Sequence, residues 1–245
     1  MPKFTSLSWE PSERWVRGVR GSVTVVDSKH PVLVRDPDKY APLYAFPKED
    51  VRTDLLKPGA APPDGATDPG KQFYDLHIDG VVVPHAAWSY PESELEEHIA
   101  FDWFLRDGVL DHWYEEDEEI FVTPRDPQHR VDALRSSRDV VVRIDGTVVA
   151  ESNRPVVLFE TGHATCFYLP PEDVRMELFT PTDSRTGCPY KGFASYWTFN
   201  PEGGGEPRTD VAWSYEDPTG ESAAIKGYLC FYTTVAEYIV DGVKV

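Results

Sequence analysis

The chain has 245 residues and carries 42 acidic against 24 basic side chains, a net charge of −18. That balance weighs against a broad nucleic-acid-binding face or docking on anionic lipid, both of which need clustered Lys and Arg. A hydrophobic content of 40% with 13% aromatics is that of a folded protein and excludes a disordered one.

In chain order, Met1 to Trp15 is polar, contains Pro2 and Pro11, and lacks the apolar stretch of a signal peptide. No segment approaches the length of a membrane span. A first domain is expected over 15–121. Val23-Thr24-Val25-Val26 is β-branched, Asp27-Ser28-Lys29-His30 reads as a turn, and Pro31 to Val34 continues as a strand. Leu43-Tyr44-Ala45-Phe46 is an aromatic strand, and Pro47-Lys48-Glu49-Asp50-Val51 after it reads as a short helical turn. Pro58 to Gly70 is loop composition. Asp79-Gly80, between Ile78 and Val81, predicts a tight hairpin. Glu92 to Leu105 alone would suit a helix. Glu115-Glu116-Asp117-Glu118-Glu119 is expected to be a solvated edge.

Residues 122–137, with Arg125, Arg130 and Arg135, form a locally basic linker. A second domain is expected over 138–242. Val140 to Ile144, Asp145-Gly146 and Thr147 to Ala150 make another predicted hairpin. Phe167-Tyr168-Leu169 leads into Pro170-Pro171-Glu172-Asp173-Val174, with Pro171 suited to the first helical position. Phe193 to Phe199 alternates as a strand, Pro201 to Pro207 is a Gly-rich loop, and Ala224 to Tyr232 has strand character.

Two phrases of the first half return in the second, in the same order and about 120 residues later. Phe46-Pro47-Lys48-Glu49-Asp50-Val51-Arg52 answers to Leu169-Pro170-Pro171-Glu172-Asp173-Val174-Arg175. Ala87-Trp88-Ser89-Tyr90 answers to Ala212-Trp213-Ser214-Tyr215. A duplicated unit is a folding unit, so the chain reads as two tandem antiparallel all-β domains with few short helices, each of about seven or eight strands. By the same logic the Glu92–Leu105 stretch is assigned as strand, like its counterpart.

Chemistry is expected where the copies differ. Gly187-Cys188-Pro189-Tyr190-Lys191-Gly192 has no full counterpart; the first copy has Asp68-Pro69-Gly70-Lys71. A Lys three residues after a Cys brings an ammonium within reach of a thiol and favours its thiolate. Cys188 and Lys191 are therefore the candidate catalytic pair, with His163 or His85 as a possible base. Trp213 and Tyr215, two apart on a strand, share a face. With Tyr190, Tyr196 and Trp197 they would wall a pocket in which Lys191 meets an anionic or carbonyl group. The three cysteines Cys166, Cys188 and Cys230 form no CxxC pair. Reduced thiols in a cytoplasmic protein is the simplest expectation, without a structural zinc site. No HExxH, GxSxG or phosphate-binding Gly-rich loop occurs, so no metal or cofactor is expected.

Thr186-Gly187-Cys188-Pro189-Tyr190-Lys191-Gly192, the upstream Phe-Tyr-Leu-Pro-Pro-Glu-Asp-Val and the downstream Ala-Trp-Ser-Tyr-x-x-Pro resemble the bacterial family called domain of unknown function 427. The resemblance covers Arg138 to Gly242 closely and about Trp15 to Phe121 more weakly. The link Pro124 to Asp132 is similar to that of tandem actinobacterial members. The resemblance implies a small all-β domain of β-tent type, with Cys188, Pro189, Lys191, Gly192, Tyr196, Trp213 and Tyr215 as motif positions. Asp68 departs from that pattern. The nucleotidyltransferase-like label sometimes attached to the family finds no paired-Asp metal motif here.

Three functions fit these residues: a small-molecule binding module, an enzyme using Cys188 as nucleophile or redox thiol, and a protein-interaction module. The first is preferred, with the first copy as its degenerate buttress and neither nucleic acid nor membrane as partner.

Overall fold

The computed structural model describes residues 4–62, 70–103 and 109–245. The chain divides into two units, Met1–Asp126 and Pro127–Val245. Among the described residues the first contains β1 (Ser8–Pro11), β2 (Val16–Arg20), β3 (Val23–Ser28), β4 (Val32–Arg35), β5 (Leu43–Pro47), β6 (Leu56–Pro58), β7 (Gln72–Ile78), β8 (Val81–Ser89), β9 (His98–Phe101), β10 (His112–Glu115) and β11 (Glu118–Ile120). The second contains β12 (Val131–Arg135), β13 (Val140–Ile144), β14 (Thr147–Ser152), β15 (Val156–Glu160), β16 (Cys166–Tyr168), β17 (Phe179–Cys188), β18 (Gly192–Phe199), β19 (Arg208–Tyr215), β20 (Cys230–Phe231), β21 (Ala236–Val240) and β22 (Val243–Lys244).

The units share one topology. The first has a seven-stranded sheet, β1-β4-β5-β9-β8-β7-β6, and a four-stranded sheet, β11-β10-β2-β3. The second repeats the smaller sheet as β22-β21-β13-β14, and the larger one as β12-β15-β16 followed by β20-β19-β18-β17. Leu169 and Leu229 join its two parts by a reciprocal pair of backbone hydrogen bonds, each 2.8 Å. All named strand pairs are antiparallel.

Alternation along the strands creates the core. In β13, Val140, Val142 and Ile144 are buried while Arg143 is exposed, and they join Val149, Leu169, Phe199, Phe231 and Tyr238 between the sheets. Val16, Val26, Phe46, Phe101 and Trp113 do the same in the first unit. The other face of each larger sheet carries a second cluster. It holds Val32, Val34, Trp88, Tyr90 and Ala100 in one unit, and Val156, Leu158, Tyr168, Tyr196, Tyr215 and Cys230 in the other.

Both expected hairpins form. Asp79-Gly80 and Asp145-Gly146 have positive φ at both positions, +52°/+77° and +48°/+79°, the geometry that matches strand twist. The two Glu-Asp segments are 3-10 turns, Lys48–Asp50 and Pro171–Asp173, each anchored to β3 or β14 by a serine. Ser28 Oγ donates to Asp50 and Ser152 Oγ to Asp173, both at 2.7 Å.

Two expectations change, and a third holds in part. Val131–Arg135, assigned to the linker by its arginines, is strand β12, paired with β15 through its full length. The Ala224–Tyr232 segment opens in the 3-10 turn Gly220–Ile225, and only Cys230–Phe231 is strand. Leu229 and Phe231 enter the inter-sheet core, while Ile225 and Cys230 face the outer cluster. Within Glu92–Leu105, His98–Phe101 is strand, whereas Leu105 lies outside the described residues. Glu115, in the acidic run, is tied in by Arg14 and by the Tyr44 hydroxyl, which donates at 2.8 Å.

Candidate functional site

The Cys-Pro-Tyr-Lys-Gly segment is a β-hairpin tip. Cys188 closes β17 opposite Gly192 of β18, and the Lys191 N–H donates to the Cys188 carbonyl at 3.3 Å. Gly192 has φ +98°, and a Cβ there would lie 3.0 Å from the Asp217 carbonyl oxygen. Only glycine combines that backbone with so close an approach. Thr219 and Ser222 donate their hydroxyls to the Tyr190 carbonyl, so the tip is held against the 217–222 segment.

The hairpin directs Lys191 away from the role first suggested for it. Its ammonium donates to Glu160 Oε2 at the end of β15. The His129 ring donates from Nε2 to the other oxygen of Glu160 at 3.0 Å and stacks on Tyr190 at 4.1 Å. The His163 ring stands 6.2 Å from that of His129. The Lys191 and Glu160 side chains are only 11% and 6% exposed. Burial pushes the Glu160 carboxyl up, but the Lys191 charge and hydrogen bonds from Lys191 and His129 outweigh it and hold it below its ordinary value of 4.5. Burial lowers the His163 imidazole, against the pull of Glu160.

The first unit contains a pair of the same kind. Lys71 lies 2.8 Å from Asp36, with the two side chains 3% and 1% exposed, and also 2.8 Å from Asp38. Tyr90 donates to Asp36 at 2.9 Å. Asp36 follows β4 as Glu160 ends β15. Both copies thus hold a buried Lys–carboxylate pair on equivalent acidic positions, although the register of Gln72 with Ser89 and of Ser195 with Ser214 aligns Lys71 with Ala194 and not with Lys191; Asp68 lies outside the described residues. The charge of Lys191 is matched internally.

The aromatic residues separate by face. Tyr196 pairs with Trp213 across β18 and β19, and Trp197 with Ala212. Tyr196, Trp213 and Tyr215 thus share the outer face of the sheet with Tyr168. Trp197 points the other way, against the core, with Nε1 3.3 Å from Ser214 Oγ. The expectation that Trp197 walls the same pocket is corrected by strand alternation. Tyr190 and Tyr215 are buried, at 6% and 5% exposure.

The outer face includes two residues not foreseen. Tyr232, 40% exposed, lies 4.5 Å from Trp213, ring to ring. Its hydroxyl donates to the Tyr196 hydroxyl at 3.4 Å, which also meets Thr186 Oγ1 at 2.7 Å. Trp213 Nε1 donates to the Tyr168 hydroxyl at 3.1 Å. Burial and the link to Tyr196 push the Tyr232 hydroxyl up, keeping it protonated at neutral pH. In the first unit the tryptophan is covered, and a cavity of about 220 Å³ lined by Lys39, Leu43, Asp102 and Trp103 lies at the covering residues. Trp88 is 1% exposed and lies beneath the Lys39 ammonium, 4.3 Å from its ring. Lys39 is paired at 3.0 Å with Asp102, which occupies the position equivalent to Tyr232.

Cys188 and Cys166 are partly exposed and Cys230 is buried. Cys166 and Cys230 lie on the outer face with Tyr168 and Trp213. The Cys166 thiol donates to the Ala164 carbonyl at 3.7 Å; Cys230 lowers its pKa, burial opposes this, the Lys191 charge lowers it further and the Glu160 charge raises it. The charge felt at Cys166 is thus that of the Lys191–Glu160 pair, in which Lys191 favours the thiolate and Glu160 opposes it. His85 belongs to the first unit, where Nδ1 meets the Ala60 carbonyl at 2.8 Å. Glu160 and Tyr232 were visible in principle, because aligning the copies places them on Asp36 and Asp102. His129 was hidden in the arginine-rich stretch.

Among the described residues, no group of three or more His, Cys, Asp or Glu side chains could hold a metal ion, and no helix is long and apolar enough to cross a membrane. No match was found among curated proteins. The model of a family described as Domain of unknown function (DUF427) matches residues 8–116 and again 132–242, the two stretches whose strand orders coincide. The chain belongs to the DUF427 family and carries its domain twice in tandem.

Proposed function

We propose that the second unit is a small-molecule binding module whose platform is the outer sheet face around Trp213, Tyr232 and Tyr196. The observation that carries this reading is the contrast between copies. Trp88 is covered by the Lys39–Asp102 ion pair, whereas the equivalent Trp213 face presents a 40%-exposed tyrosine and a partly exposed tryptophan. Clustered aromatic rings edged by hydroxyls suit a flat ligand with hydrogen-bonding atoms on its rim. Lys191, neutralised by Glu160, supports the platform and leaves ligand contact to the aromatic residues.

The test is a ligand-observed NMR screen of the whole chain against planar heteroaromatics such as uracil, nicotinamide and indole. Tyr232→Ala and Trp213→Leu should each weaken a binder about tenfold, corresponding to about 1.4 kcal/mol of lost stacking. Binders left unaffected by both changes would refute the assignment.

A further inference from the structure

We propose that Cys166 and Cys230 form a peroxide-reactive dithiol, with Cys166 as the attacking thiol and Cys230 as the resolving one. The Leu169–Leu229 pair sets the register between β16 and β20. Two-residue periodicity then places Tyr168 opposite Cys230, and Cys166 diagonally across from Cys230 on the same face. Both cysteines belong to one side-chain cluster. Their environments differ in the sense the chemistry requires. Cys166 is partly exposed, and its ionisation is favoured first by Cys230 and then by Lys191, against burial and the Glu160 charge. Cys230 is buried beside the Tyr238 hydroxyl, 3.8 Å away, and burial holds its proton on. The corresponding positions of the first unit are Leu43 and Ala100, so the pair is an addition to the second copy.

In the first step the Cys166 thiolate attacks one oxygen of a hydroperoxide. An S–O bond forms, the O–O bond breaks, and the departing oxygen takes a proton and leaves as water or an alcohol. The sulfur is oxidised by two electrons to a sulfenic acid. In the second step the Cys230 sulfur attacks that sulfenyl sulfur. An S–S bond forms, the S–O bond breaks, and water leaves with the Cys230 proton. One peroxide is reduced and two thiols become a disulfide, which an added dithiol reverses.

The inference does not rest on the ligand platform, and its test reads only sulfur chemistry. The intact protein is treated with one equivalent of hydrogen peroxide, denatured, alkylated and mapped by peptide mass spectrometry. Cys166 and Cys230 should lose alkylation together as a linked peptide two hydrogens lighter, about tenfold faster than Cys188 is oxidised. Cys230→Ala, which installs the residue of the first copy, should leave a Cys166 sulfenic acid trappable by dimedone. Oxidation of Cys166 no faster than Cys188 would overturn the proposal. So would a wild-type Cys166 sulfenic acid that accumulates while Cys230 remains alkylatable.

Discussion

At the scale of single residues, the second unit turns on a buried charge pair and a glycine. Lys191→Met would leave Glu160 buried with only His129 as partner, and should cost about 3 kcal/mol. Adding Glu160→Met should recover much of that loss in denaturant titrations, since replacing both charges by apolar groups removes the desolvation penalty. Because the Glu160 carboxyl is held below 4.5, its contribution is complete above that pH and is lost as pH falls through the lower, folded value. Wild type should therefore lose more stability than Lys191→Met/Glu160→Met on acidification below about pH 4.5. A constant gap between the two across that range would show that Glu160 is not held ionised. Gly192→Ala should destabilise by about 2 kcal/mol, because it combines a disfavoured φ with a close carbonyl. The residues of this site were only partly legible. Cys188, Lys191 and Gly192 announce themselves by spacing, but spacing runs along the chain, whereas the Lys191 ammonium leaves the hairpin for another strand. Its partner is found by asking which carboxylate recurs in both copies.

At the scale of elements, the hairpins were the most legible feature, since Asp-Gly between β-branched runs has one favoured solution. Gly146→Ala meets no atom within 4 Å yet sits at φ +79°, so about 1 kcal/mol of destabilisation should come from backbone strain alone. Calorimetry on that variant measures the strain without any packing change. Elsewhere the sequence signal was weak for a physical reason. Strands buried on both faces, such as β4 and β15, show continuous apolar runs in which alternation is lost. The Ala224–Tyr232 segment is apolar because it feeds both faces, Ile225 and Cys230 outward and Leu229 and Phe231 into the core, and its 3-10 turn interrupts the two-residue period of a strand. Val131–Arg135 reads as linker because an edge strand can keep charged, half-exposed side chains. Trp197 and Tyr196 differ by one position in β18, and that single step decides which of them belongs to the platform.

At the scale of the whole molecule, duplication explains both the shared fold and the difference between the two outer faces. Each unit has its own inter-sheet core, so residues 127–245 expressed alone should fold cooperatively, with native-like near-ultraviolet circular dichroism and a single denaturant transition. A molten spectrum would mean that the copies depend on one another. Two copies with one topology leave one free to keep its tryptophan covered while the other opens its outer face. The Trp213–Tyr232 face is open to solvent, while its counterparts Trp88 and Tyr90 are buried. Hydroxyl-radical footprinting of the intact chain, read by peptide mass spectrometry, measures this directly without a ligand. Tyr232 and Trp213 should be modified well ahead of Trp88 and Tyr90, and a bound planar ligand should protect the first pair alone. Equal modification of the two faces, or faster modification at Trp88, would contradict it.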